Sequence, residues 1–377
     1  VLASGDVLQT KRLHKRELNR KKGLDTFEGE IYRQLDGLIT DNWDTLQQYK
    51  ETQAQTSKNA SGYALADVKQ KDGSFDLTPL FVGSQGTLGI VSEAILTLES
   101  HMPTTTLAVI ECQDIDAAEA AVEKILPLGP SALEMVDGHL LTALQRSSPA
   151  LLSGLVEAPF PSIVLLAEFD DPSSRKQLSK TKKMERALKG LASSVRISSN
   201  FEEQEALWSI RRSAAAVMSR SEDGKAALPI IEDGIVPRAK FKELLTSLYE
   251  LLKKYSLEVA VWGHAGDANL HVQPMMDLSQ LGDRQKAFRL MEEYNKLVIR
   301  LGGNMSAEHN DGRLRAPYLA AQHGKDVHDL LLATKKIFDP HDILNPGVKF
   351  GTSTKDLVAH LRERYSVDHL HDYLPYT

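Results

Sequence analysis

The residues with chemistry to offer fall in a few short segments. In WGHAGDANLHVQP, residues 262 to 274, His264 and His271 flank a turn-forming stretch that contains Gly266, Asp267 and Ala268. Glycine and aspartate disfavour helix here and favour strand, turn, strand. Across such a turn two imidazoles can converge on one ion, and a neutral imidazole nitrogen suits zinc, manganese or iron. A third ligand is still required. Glu308, in SAEHNDG, is the leading candidate because it too sits in a short polar segment beside a glycine, and the adjacent His309 could then accept a proton. Residue types alone leave two readings open: satisfied structural histidines, or ligands of a metal.

Two further segments could meet a cofactor or an anion. GSQGTLG, residues 83 to 89, spaces three glycines so that backbone N–H groups can approach a phosphate or a flat ring edge. Its G-x-x-G-x-x-G spacing is neither a P-loop nor the G-x-G-x-x-G dinucleotide fingerprint, and a plain tight turn is the competing reading. LNPGV, residues 344 to 348, is open to the same two readings. Arg211 and Arg212 end an apolar helical stretch, and arginine is the side chain that grips a planar carboxylate with two parallel hydrogen bonds. At least one of them is expected on an exposed helix face. Arg313 and Arg315 are comparable candidates nearer Glu308.

These residues need elements to hold them. Residues 26 to 54 carry Phe27, Ile31, Leu35, Leu38 and Ile39 at amphipathic helix spacing, and the opening GDVLQT reads as half of a hairpin. TLGIVSEAILTLE, residues 87 to 99, is rich in β-branched residues and is expected to be a strand closing a first lobe. From about residue 104 the pattern becomes strand TTLAVIEC, helix DIDAAEAAVEKIL, strand SALEMVD, strand SIVLLAEF, helix SRKQLSKTKKMERALKGL and strand SVRIS. That β-α-β-β-α-β order is the ferredoxin-like signature. Helices are expected near 201–219, 237–255, 282–301, 324–338 and 355–364, with strands near 228–236, 257–263 and after 268. The fold class is therefore α+β, built on an antiparallel sheet.

Length and composition bound the rest. A chain of 377 residues exceeds one compact core and reads as two lobes. Hydrophobic residues at 42%, charged residues at 25% and a net charge of -6 argue against a nucleic-acid binder and for a small-molecule partner. Cys112 is the sole cysteine, so the chain makes no internal disulfide, thiolate zinc cluster or self-ligated iron–sulfur cluster. No apolar run reaches the roughly 18 to 20 residues that span a bilayer. The expected location is cytoplasmic, with peripheral membrane association as a variant and a mitochondrial address in a eukaryote. The basic run KRLHKRELNRKK, residues 11 to 22, reads as a solvated face.

Four segments in order resemble the FAD-linked oxidases of the vanillyl-alcohol oxidase superfamily, most closely the D-2-hydroxyacid dehydrogenase branch that contains D-lactate, glycolate and D-2-hydroxyglutarate dehydrogenases. They are KNASGY with LFVGSQGTLGIVSEAILTL, then GHAGDANLH, then EHNDG, then FDPHDILNPGV. The resemblance covers roughly residues 1 to 10 and 57 to 350, with about 11 to 56 resembling an insertion. It implies a second FAD subdomain over residues 1–100, a cap or substrate domain over 101–305, and a C-terminal segment, 306–377, that returns to the flavin lobe. A first FAD subdomain precedes this point in such proteins, so the chain is expected to lack it.

By the same resemblance Gly83, Ser84, Gly86, Thr87, Gly89, Ile90 and Asn345 would contact flavin, and His264, His271 and Glu308 would hold a divalent metal against the substrate. His309 would be the general base and Arg211 a substrate-carboxylate ligand. Asn310 and Ala268 replace usual glycines, Gln85 replaces the commoner glutamate, and Ala215 and Ile231 stand where the 2-hydroxyglutarate branch has a threonine and a lysine. The implied function is FAD-dependent oxidation of a D-2-hydroxy acid to the 2-oxo acid. Electrons would leave to a quinone, an electron-transfer flavoprotein or an iron–sulfur protein. A flavin-free metal-dependent hydrolase and a non-catalytic fragment needing a partner chain are the alternatives.

Overall fold

Strand-forming residues alternate with helix-forming ones from residue 104 onward, and they assemble into a twisted antiparallel sheet flanked by helices. The computed structural model describes residues 1–53, 55–152, 156–218, 225–257 and 259–361. The chain divides into two units, one of Val1–Glu99 with Gly302–Ala359, the other built on Ser100–Leu301.

The second unit holds β1 (Thr106–Cys112), β2 (Ala132–Asp137), β3 (Ile163–Phe169), β4 (Ser194–Ser198), β5 (Ala226–Ala227), β6 (Gly234–Ile235), β7 (Val259–His264) and β8 (Asn269–Met276). The first four run in the order β4-β1-β3-β2 with every neighbour antiparallel, which is the expected ferredoxin-like arrangement. Helices cover both faces. Leu107 and Val109 of β1 join one apolar cluster, while the alternate residues Ala108, Ile110 and Cys112 are buried on the opposite face. The sheet continues from β2 through β7 to β8, with the short β5 and β6 paired to β8.

Two expectations in this unit need correction. β2 does not lead directly to β3: the helix Gly138–Ser147 intervenes, started by buried Asp137, whose carboxylate accepts from Leu140 N at 2.8 Å. The strand expected over 228–236 is only the two-residue β6 with β5 before it, because prolines and polar residues interrupt the pairing.

In the first unit, helices Phe27–Asp41, Trp43–Gln53 and Lys325–Phe338 pack around Ile31, Tyr32, Leu35, Phe75, Leu331 and Phe338. The single helix expected over 26–54 is therefore two. At Asn42 the side-chain amide donates to Leu38 O at 2.9 Å, capping a carbonyl that a continuing helix would have used. The basic run forms a short helix, Lys15–Lys22, that buries only Leu18. No described helix is long and apolar enough to cross a membrane. The last helix among the described residues is Thr354–His360, and the expected continuation over 362–364 lies outside them.

Residues 87–99 do not form the expected strand. Val1 and Ile90 exchange hydrogen bonds of 2.7 and 2.9 Å, but Ile95, Leu96 and Leu98 are exposed. β propensity makes a strand only where a neighbouring strand takes up its backbone groups, and none of the described residues pairs with this run beyond Ile90. GDVLQT likewise makes no strand; just after it Leu13 and Phe75 form an isolated antiparallel bridge.

A polar cluster sits inside the first unit. Asp311 is fully buried and accepts from Ser61 Oγ (2.9 Å), Gly62 N (2.8 Å), Ser306 Oγ (2.9 Å) and Lys349 Nζ (2.9 Å). Burial opposes its charge, yet Lys349 and the Gly62 N–H hold its carboxyl below the ordinary range. Burial also pushes His323 down to about 4, and its ring nitrogens face Ser61 Oγ at 3.0 Å and Tyr49 Oη at 2.6 Å.

Two outcomes follow for stability. Lys349→Met leaves Asp311 buried without its cation and should cost about 3–5 kcal/mol in chemical denaturation, while Lys349→Met with Asp311→Asn should recover part of that loss. Between pH 6.5 and about 4 the unfolded chain binds a proton that folded His323 excludes. Stability should therefore fall as pH drops through that window, by about 3 kcal/mol at most, and His323→Gln should flatten the dependence.

Candidate functional site

The pleat decides which side chains can meet in the second unit. Trp262 lies opposite both Val136 and His271 in register, so Glu134, Val136, Trp262, His264 and His271 share one face of β2, β7 and β8. The turn between the histidines is a short 3-10 segment, Ala265–Asp267, closed by Ala268 in left-handed conformation. At Gly263 a Cβ would come within 2.3 Å of Asn269 O, so only glycine lets β7 and β8 approach closely enough to set this register. The strand, turn, strand reading of this stretch is what the backbone shows.

His264 and His271 stand edge to face with ring centroids 5.2 Å apart, and each offers a nitrogen within 4.8 Å of the other's. His264 Nδ1 lies 2.7 Å from Glu134 Oε1. Glu134 Oε2 accepts from Arg211 Nε at 2.9 Å and lies in ion-pair contact with Nη2 at 2.9 Å. Arg211 can reach inward because it follows the buried stripe Leu207, Ile210 and Ala214 of helix Phe201–Met218, whereas Arg212 points out and pairs with Glu205. His271 is buried, with Nδ1 3.5 Å from Glu232 Oε2. Glu232 and Asp233 each offer an oxygen within 4.8 Å of a His271 nitrogen. Spacing in the sequence gave no sign of Glu134 or Glu232, since both reach the histidines only through strand pairing. Two imidazoles backed by carboxylates are a donor set that suits a divalent transition metal.

The other predicted residues lie in the first unit. Glu308 is exposed and accepts from Lys58 Nζ at 3.0 Å, and His309 Nε2 stands 3.7 Å from Glu308 Oε1. Lys58 belongs to KNASGY and was not singled out from the sequence. Directly after His309, Asn310 adopts φ 66°, and with its amide oriented so that the nitrogen faces two carbonyls it donates to Gly83 O (2.7 Å) and Ala60 O (2.9 Å). Arg315 donates to Asn310 O at 2.5 Å, and Arg313 lies against Gly347.

The Gly83–Gly89 segment is held on several sides within this unit. Gly312 N donates to Gln85 Oε1 (3.0 Å), Asn345 Nδ2 to Gln85 O (2.7 Å) and Lys335 Nζ to Thr87 O (2.9 Å). Ser84, Thr87 and Gly89 are buried; the Thr87 hydroxyl is 2.6 Å from both Tyr63 Oη and Ser84 O. Gly86 and Ile90 are exposed, and a Cβ at Gly86 would meet nothing within 4 Å. That open glycine backbone, at a turn clamped from behind, fits the edge of a flat cofactor. Of the seven residues expected to touch flavin, Gly86, Ile90 and Asn345 are exposed, Gly83 is half-buried, and Ser84, Thr87 and Gly89 are buried and shape the turn. Asn310→Ala removes two hydrogen bonds to this region and should raise amide hydrogen exchange in the 83–89 peptide by about tenfold, with exchange in β1 unchanged.

Comparison with known proteins fits this geometry. Residues 102–348 match the family described as FAD linked oxidases, C-terminal domain. The glycolate oxidase subunit GlcD of Bacillus subtilis is 34% identical over 287 residues, covering 76% of this chain and 59% of that protein. The mitochondrial D-lactate dehydrogenase [cytochrome] of Arabidopsis thaliana is 29% identical, covering 79% and 49%, and the D-2-hydroxyglutarate dehydrogenase of Pantoea ananatis is 24% identical, covering 92% and 35%. The chain thus spans between about a third and three fifths of these relatives' lengths. p-Cresol methylhydroxylase, solved with substrate bound, shares the fold at 15% identity and a TM-score of 0.50 over 67% of this chain and 54% of that one. With the match extending over most of its length, the chain belongs to the FAD-linked oxidase family and carries its C-terminal domain.

Proposed function

We propose that this chain carries the substrate-oxidising part of an FAD-dependent D-2-hydroxyacid dehydrogenase. The observation that carries the reading is the pair His264 and His271, turned toward each other on one sheet face in a chain of this family. Together with Glu308 they would hold a divalent cation, zinc, manganese or iron, that polarises the substrate's 2-hydroxyl and carboxylate. His309, half exposed, would take the hydroxyl proton, and the Gly83–Ile90 segment with Asn345 would seat the flavin edge. Flavin, when bound, supplies the acceptor for the C2 hydride, so the product is the 2-oxo acid. Arg211 would meet a substrate carboxylate only through Nη1, since Nε and Nη2 face Glu134.

The relatives' names support the substrate class, since each names a small 2-hydroxy acid. Electron transfer would then run to a quinone, an electron-transfer flavoprotein or an iron–sulfur protein. The flavin-free hydrolase reading draws on one observation, the carboxylates Glu232 and Asp233 beside His271, and it requires metal-dependent ester cleavage without flavin.

Reconstitution with FAD and Zn²⁺ or Mn²⁺, followed by anaerobic addition of D-lactate, glycolate or D-2-hydroxyglutarate, tests the proposal. Bleaching of the flavin band by one of them is the expected result. His309→Ala should lower the bleaching rate by about 10²–10⁴-fold while flavin stays bound. A bound flavin that dithionite reduces but none of the three acids reduces would overturn the substrate class. Failure to bind flavin under any condition would overturn activity of this chain by itself.

A further inference from the structure

We infer that Glu134 and Glu232 are positioning residues that hold His264 and His271 by Nδ1 and so turn Nε2 of each ring toward a shared divalent cation, and that Arg211 serves this arrangement by fixing Glu134. The inference rests on the metal reading above and extends it to residues that sequence spacing does not reveal.

The chemistry begins with what a carboxylate can do. It only accepts hydrogen bonds, so an imidazole nitrogen 2.7 Å from Glu134 Oε1 must be the one that carries the hydrogen. A neutral His264 ring then has its lone pair on Nε2, the form a metal needs. For His271 the contact is longer: Nδ1 stands 3.5 Å from Glu232 Oε2, an ion-pair rather than a hydrogen-bond contact, and with both residues buried a carboxylate there favours the tautomer that carries its hydrogen on Nδ1. Without such partners either ring could choose the other tautomer or rotate.

Glu134 in turn needs a reason to stay in place. It is 8% exposed, and its second oxygen accepts a hydrogen bond from Arg211 Nε and an ion-pair contact from Nη2. This leaves Oε1 aimed at His264 and the carboxylate plane fixed by a guanidinium that is itself anchored in the apolar stripe of its helix. The chain of contacts Arg211, Glu134, His264 runs across three elements: helix Phe201–Met218, β2 and β7. An arginine whose main duty was to grip substrate would keep its forked edge open, whereas here that edge is turned to the protein's own carboxylate.

Cobalt(II) titration of the full chain, followed by visible absorption and calorimetry, tests this without any turnover. Wild type should bind Co²⁺ with a defined d–d spectrum, and His264→Ala should lower affinity at least a hundredfold. Glu134→Ala and Glu232→Ala should each lower it by about 10–100-fold and alter the spectrum, with circular dichroism unchanged. Because Glu134→Ala strands the Arg211 charge, the paired variant Glu134→Leu with Arg211→Leu removes both charges together and should show the same loss. Arg211→Ala should weaken Co²⁺ by about tenfold. Wild-type affinity and spectrum in the Glu134 and Glu232 variants, alongside loss in His264→Ala, would overturn the positioning roles and leave the metal reading standing. Unchanged Co²⁺ binding in Arg211→Ala would overturn the role given to Arg211. Absence of Co²⁺ and Zn²⁺ binding in wild type would overturn this inference and the metal reading alike.

Discussion

The ion pair between Asp311 and Lys349 governs the first unit, because both charges are fully buried and each has meaning only through the other. Asp311 draws four donors from three separate stretches: Ser61 and Gly62 of KNASGY, Ser306, and Lys349 just past the LNPGV loop. A buried carboxylate without such partners would neutralise or pull in water. The loops that meet on it therefore acquire fixed positions although none contains regular structure. Glu308 and His309 sit immediately before this anchor, so these two exposed side chains start from a rigid base.

From that base the fixing spreads to the glycine-rich segment by way of amides rather than charges. Asn310 reaches Gly83 and Ala60, and Gln85 receives Gly312 N on its side chain and Asn345 on its carbonyl. A glutamate at position 85 could still accept from Gly312. A glycine at 310 could not bridge to Gly83 at all, so this chain has gained a link that the usual glycine lacks. Lys335 adds a further tie, joining Thr87 O and Leu344 O while paired with Asp339.

How much of this was legible beforehand depended on whether the cause was local. The strand, turn, strand form of residues 259–276, the ferredoxin-like order and the inward or outward choice at Arg211 and Arg212 follow from periodicity within single elements. The break at Asn42 and the helix after Asp137 are also local in cause, set by residues whose side chains cap helix ends. What sequence could not show is non-local. Glu134 lies 130 positions from His264, and only the β2–β7 register brings them together. The failure of residues 87–99 to form a strand has the same root, because strand formation is a property of two segments and the composition of one is silent about the other.

The two positions where a glycine is usual show how backbone conformation and side-chain duty are linked. Ala268 and Asn310 both adopt left-handed conformations, with φ 57° and 66°. The expected glycines are thus explained by backbone geometry, and the substitutions must either tolerate strain or offset it. Asparagine enters this region readily, and here its amide gains two carbonyl partners, so strain at 310 is offset by contacts. Ala268 has no polar atom with which to do the same. It is fully buried at the mouth of the β7–β8 turn, so its methyl group must recover the cost through packing alone. The turn that sets the spacing of His264 and His271 is therefore held by burial, while the loop that presents His309 is held by hydrogen bonds. Burial is indifferent to small rotations of a methyl group, but an amide bridging two carbonyls is directional. Of the two histidine-bearing segments, the one carrying His309 is the more sharply oriented by its own turn, and the pair His264 and His271 must draw orientation from elsewhere, a part that Glu134 and Glu232 are placed to supply.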